Sequence, residues 1–162
     1  MITDNQANNE ETDFPLEQQV AFLRQNNINF RFDAFEVLKS MLGDKGIEIF
    51  KTILKRGYKR AIEMSEGQDF QTITTFMPIT DRILGLEEKV DYSKVDEVQY
   101  SVTYCPYLEE CKRREIDVEF CEILESVGIE EISKSIGEFT EPKRMCKGDA
   151  KCIFSIKNTL GR

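Results

Sequence analysis

Val98-Gln99-Tyr100-Ser101-Val102-Thr103-Tyr104-Cys105 alternates without interruption: Val98, Tyr100, Val102 and Tyr104 fall on one face, Gln99, Ser101, Thr103 and Cys105 on the other. A sustained period of two marks a half-buried strand, and Pro106 ends it, since proline cannot donate to a ladder. Upstream of this strand the apolar period is helical. Leu16, Val20 and Leu23 predict a short helix over 15–25, broken at Asn26-Asn27, with Ile28–Phe32 alternating as a short strand. Asp33 then caps a helix that carries Phe35, Leu38 and Met41 and stops at Gly43. Asp44 opens a second helix to about Ser65, with Ile47, Phe50, Leu54, Ala61 and Met64 on its stripe. Asp69 starts a third with Ile73, Phe76, Thr80 and Ile83, kinked or shortened at Pro78. Leu86–Asp96 reads as an acidic connector.

Downstream of the strand, Glu109–Ile136 returns to helix, with Ile116, Phe120, Leu124 and Val127 as a core stripe and a break expected at Gly128. Residues 139–146 and 151–157 read as a hairpin around Gly148-Asp149, with Cys152, Phe154 and Ile156 sharing a face. Helices first and a mostly antiparallel sheet afterwards predict an α+β fold, with N-terminal helices packed on the sheet and a C-terminal hairpin. The polar stretch 1–14 is expected to be a disordered tail, and 15–162 one domain.

Bulk composition excludes several functions. The net charge of −8, from 30 acidic and 22 basic side chains, repels phosphate backbones, so no nucleic-acid partner is expected. Lys112-Arg113-Arg114, flanked by Glu109, Glu110 and Glu115, reads as a solvated surface rather than a basic patch. No run approaches the roughly 18 apolar residues that span a bilayer, and no signal-peptide segment opens the chain. A cytoplasmic protein without a membrane partner is expected. The 162 residues contain no histidine, which removes Ser-His-Asp and Cys-His catalysis, HExxH metal sites and a histidine-ligated haem.

The five cysteines all lie between positions 105 and 152. An odd number of thiols in a reducing compartment points to metal or redox chemistry rather than to structural disulfides. If Gly148, Asp149 and Ala150 form the turn, Cys146 and Cys152 oppose each other with Cβ atoms about 4.5–5.5 Å apart. Thiolates sharing one tetrahedral zinc need sulfurs only about 3.8 Å apart, at Zn–S of about 2.3 Å. The expected ligands are Cys105, Cys121, Cys146 and Cys152, with Cys111 as the alternate and Glu138 or Glu141 able to replace one thiolate. Inert buried thiols are the competing reading; an iron–sulfur cluster lacks the closely spaced cysteine run it needs. The many aromatic residues suit either core packing or a cavity for an apolar ligand. Phe30 and Phe32, on a short two-sided strand, predict pairing with a second copy, hence a homodimer.

Three stretches carry a family resemblance: Leu42-Gly43-Asp44-Lys45-Gly46 before a long helix; Cys105-Pro106-Tyr107 followed by the Cys121-Glu122 helix; and Cys146-Lys147-Gly148-Asp149-Ala150-Lys151-Cys152-Ile153-Phe154. Together they resemble the 4-vinyl reductase small-molecule-binding domain, in a stand-alone archaeal form, and the related L-2-amino-thiazoline-4-carboxylic acid hydrolase-like family. The resemblance implies a dimeric domain that encloses a hydrophobic small molecule. It also implies a zinc held by three cysteines and a glutamate, which supports Cys121, Cys146 and Cys152. The family's Glu-x-x-Cys spacing is missing, because position 143 is lysine. The function expected is small-molecule binding with a structural zinc; the alternative is a small-molecule enzyme, a hydrolase of a thiazoline-like ring or a vinyl reductase. A DNA-binding regulator ranks third, without a helix-turn-helix partner.

Overall fold

The computed structural model describes residues 15–64 and 69–161; the expected tail over 1–14 and the end of the second helix at Ser65 lie outside them. The strand that opens the sequence reading is present as β2 (Glu97–Tyr104), with Val98, Tyr100 and Val102 buried. Tyr104 is exposed, so the buried stripe ends one residue pair early. β2 lies between β1 (Glu87–Asp91) and β4 (Cys152–Lys157), with β3 (Glu138–Lys143) outside β4, in the order β1-β2-β4-β3 and antiparallel throughout. Opposite Val98, Tyr100 and Val102 stand Ile156, Phe154 and Cys152, so the two central strands present one common inner face. The α+β expectation holds.

Five helices complete the described chain: α1 (Leu16–Leu42), α2 (Asp44–Met64), α3 (Phe70–Leu84), α4 (Pro106–Arg114) and α5 (Glu119–Ile136). Their inner faces form two clusters. Ile28, Phe32, Phe35, Phe50 and Phe120 join α1, α2 and α5; Phe70, Ile73, Tyr100, Ile136 and Ile156 join α3, α5 and the sheet. Helix α5 belongs to both. Between α1 and α2 the backbones nearly touch: a Cβ at Gly46 would stand 1.9 Å from the Leu38 carbonyl oxygen, so only glycine lets α2 leave the turn at that angle.

Four local expectations are corrected. Ile28–Phe32 is helix, inside an α1 that runs straight through Asn26-Asn27. Ile28, Phe32 and Phe35 are its buried residues, an i, i+4, i+7 stripe that wins because Phe32 stacks on Phe120 at 3.9 Å between ring centroids. Phe30 is 72% exposed, and the two-sided strand offered as a pairing surface for a homodimer does not exist. The acidic connector contains β1, which pairs with β2 and turns Glu88 and Val90 inward.

Third, the long C-terminal helix is two. Glu115 takes a left-handed φ of 56° and ends α4, and α5 begins at Glu119. Gly128 does not break α5; it clears room for Tyr58, whose hydroxyl would lie 3.1 Å from a Cβ there. Fourth, residues 144–151 are not a tight ladder turn. β3 ends at Lys143, paired near Ile153, and Met145–Lys147 forms a 3-10 turn. Cys146 is therefore off the ladder and not opposite Cys152.

Helix α3 is placed as expected, with the Asp69 carboxylate accepting from the Thr72 amide at 2.9 Å, but its inner face is rotated: Phe70, Ile73, Thr74 and Pro78 are buried and Ile83 is 59% exposed. Pro78 sits inside it and lacks the N–H that would bond the Thr74 carbonyl. That carbonyl accepts instead from the Tyr100 hydroxyl of β2 at 2.8 Å.

Candidate functional site

Between the two clusters lies a cavity of about 170 Å³, walled by the inner sheet face, α5, the middle of α1, the later turns of α2 and α3 and the start of α4. Tyr100, Val102, Phe154, Leu124, Ile132 and Met77 give it an apolar lining. Its alternation comes straight from the strands: every second residue of β2 and β4 faces in, and the helical stripe of α5 closes the other side.

Three elements bring acidic and thiol groups to one end. Cys152 comes from the first position of β4, Glu141 from β3 and Glu125 from α5, with one ligand atom of each lying within 4.8 Å of the others. From the 3-10 turn Cys146 reaches the same group, its thiol 3.7 Å from Glu125 Oε1. The Glu141 side chain is 1% exposed, and neither of its oxygens has a hydrogen-bond partner among the described residues. Arg144 supplies charge from the side, with Nε 2.9 Å from Glu141 and Nη1 3.4 Å from Glu125. It does not fully compensate. Burial, then the neighbouring Glu125, pushes the Glu141 carboxyl up to about 8. Burial also raises Glu125, against the opposing pull of Arg144.

The thiols around this end are protonated at neutral pH. Burial lifts Cys105 and Cys152 to about 11, and burial with Glu125 lifts Cys146 to about 12. Cys105 and Cys121 also open on the cavity, whereas Cys111 lies behind Cys121 with their sulfurs 3.6 Å apart. The S–H···S contact holds Cys111 down and pushes Cys121 up.

The sulfurs thus gather in one region, but not as four equal neighbours. Of the expected set Cys105, Cys121, Cys146 and Cys152, only Cys152 belongs to a group of three or more ligand atoms in mutual reach among the described residues; Cys146 borders it, and Cys121 pairs with the alternate, Cys111. Glu141 takes part and Glu138 does not, being exposed on β3. Glu125 was missed. The available signal was its place one turn after Cys121, on the helix face expected to meet the sheet.

Glu141, Glu125, Cys152 and Cys146 form a donor set that suits zinc, a borderline-soft ion that takes thiolate at about 2.3 Å and carboxylate at about 2.0–2.2 Å. Two buried carboxyls held near one another beside a single arginine keep a proton on Glu141 at neutral pH, and that proton is what a cation would replace. A bound ion would take the place of that proton and lower both carboxyl and thiol pKa values.

No protein-family model matches the chain, and neither does any curated protein.

Proposed function

We propose that this protein binds a compact, largely apolar small molecule in the cavity between α5 and the sheet, and holds zinc at the cavity's acidic end through Glu125, Glu141, Cys152 and Cys146. The observation that carries the reading is the convergence of Glu125, Glu141 and Cys152 on the wall of an apolar cavity. Such a pocket, mostly apolar with a few convergent polar groups, is the ordinary form of a small-molecule site. The ion would tie α5 to β3, β4 and the turn, which share no covalent cross-link. Binding is favoured over catalysis because the cavity-wall thiols outside the proposed zinc set are both raised, Cys105 to about 11 by burial and Cys121 by its contact with Cys111, so neither is primed as a nucleophile.

Elemental analysis and native mass spectrometry of protein purified without added metal test the zinc. About one zinc per chain, lost in both Cys152→Ser and Glu141→Gln, is the expected result; metal content unaffected by either substitution overturns the site. A thermal-shift panel of apolar molecules about the size of benzene tests the cavity, and no shift with any member overturns it.

A further inference from the structure

A second polar group lines the cavity. Arg31 reaches it from α1, with its guanidinium carbon 5.6 Å from the Tyr107 ring centroid, and makes no ion pair among the described residues. Two other part-buried arginines differ: Arg114 and Arg144 are each held by carboxylates on more than one element. Beside Arg31, Tyr107 is 7% exposed; its hydroxyl oxygen faces the Arg31 guanidinium, and its own proton finds no acceptor among the described residues. Tyr58 completes the group from α2, through the space that Gly128 leaves open. The Arg31 charge acts on both phenols, Tyr107 acts on Tyr58, and the Asp81 carboxylate acts on both, which places these groups together on the cavity wall. Burial raises both hydroxyls above their ordinary range, so both remain donors.

We infer that the molecule bound in this cavity is a compact monocarboxylate, its carboxylate taken by the Arg31 guanidinium with the Tyr58 and Tyr107 hydroxyls and its apolar body lying toward Val102 and Phe154. The inference rests on the proposed use of the cavity as a ligand site and adds the ligand's chemical class. A planar guanidinium donates two parallel N–H···O bonds to a carboxylate, and the phenols add two further donors. A half-buried cation without an ion pair and a buried hydroxyl whose proton has no acceptor are both costly until an acceptor arrives. A dianion is disfavoured, because one arginine faces Asp81, Glu125 and Glu141 on the same wall. A cationic ligand would have to leave Arg31 facing it. The volume of about 170 Å³ fits a single ring: an engineered cavity of about 150 Å³ in another protein holds benzene.

Isothermal titration of the full chain, purified with its zinc, against benzoate, cyclohexanecarboxylate, toluene and benzylamine tests this. Benzoate or cyclohexanecarboxylate is expected to bind at least about tenfold tighter than toluene. Arg31→Met and, separately, the milder Tyr107→Phe are each expected to erase most of that advantage while leaving toluene affinity unchanged. Should toluene or benzylamine bind as well as the acids, or should both variants keep full benzoate affinity, the carboxylate is excluded and the apolar cavity stands. If no member of the panel binds, the cavity reading itself falls, and the ligand class with it.

Discussion

At the residue scale the acidic end of the cavity behaves as a charge balance around Glu141. In metal-free protein at about pH 9, above the raised Glu141 pKa of about 8, Glu141→Gln removes a buried anion beside Glu125 and supplies an amide that can donate to it. We expect it to raise stability in chelator by about 1 kcal/mol, read as a urea midpoint shift, and to abolish stabilisation by added zinc. Arg144 acts in the opposite sense. Its guanidinium lies where a cation would otherwise approach both carboxylates, so Arg144→Gln is expected to tighten zinc by about tenfold in a competition assay with a chromophoric chelator. A loss of zinc affinity in Arg144→Gln would mean that the arginine supports the site rather than competing with it. The sequence showed part of this end: Cys152, Cys146 and Glu141 were legible from the closing Cys-Gly-Asp-Cys segment and its neighbours. Glu125 was not, because a glutamate on an amphipathic helix usually faces water, and only the packing of α5 on β3 decides that this one does not. Arg31 was hidden for a different reason, lying inside a segment read with the wrong period.

Elements were legible where the pattern was long and uncontested, as in β2 and α2. Ile28–Phe32 failed because five residues fit either period, and the choice fell to Phe120, nearly ninety positions away, against which Phe32 stacks. β1 failed because Glu87–Asp91 is nearly all charged, and its strand character comes from the β2 edge it covers. The break at Glu115 has no glycine to announce it; the φ of 56° is borne by a glutamate, one of the rarer non-glycine cases. What secures α4 against α1 is legible only in three dimensions. Arg114 bonds Glu110, Asp33 and Glu36 at 2.6–2.7 Å, and the Glu110 side chain is 6% exposed. The hydrogen bond from Arg113, opposed by partial burial and aided by Arg114, holds the Glu110 carboxyl down at about 2. Arg114→Ala is therefore expected to cost about 2 kcal/mol in urea unfolding, by removing one of the two partners of Glu110 together with the link to Asp33 and Glu36. Lys112→Ala, which breaks only the exposed pair with Glu109, should cost under about 0.5 kcal/mol; equal losses from both would show that the burial of Glu110 carries no weight.

For the whole molecule, no described helix is long and apolar enough to cross a membrane, and the Lys112–Arg114 run is engaged by its own acidic neighbours. The pH dependence follows from the raised carboxyls. Asp81, by burial and then Glu88, is pushed up to about 7, and Glu141 to about 8. The folded chain thus keeps protons that the unfolded chain releases near pH 4, and stability falls as pH rises from about 5 to 8. Glu110 has the opposite sign: its contribution is complete above its unfolded pKa and is lost as pH falls toward 2. A metal-free melting series should peak near pH 5, and zinc should lift its neutral limb by removing the Glu141 cost; a flat profile between pH 5 and 8 would contradict the charge balance around Glu141 and Asp81. A last consequence concerns the Thr74 carbonyl freed by Pro78 and taken by Tyr100. The chain has no tryptophan, so its near-ultraviolet signal belongs to its phenols, and this one cannot become phenolate while the third helix stays docked on the sheet. In an alkaline jump the part of the absorbance that Tyr100→Phe removes should therefore rise at the rate of undocking rather than with mixing, making the tyrosine a native optical clock for the parting of helix and sheet.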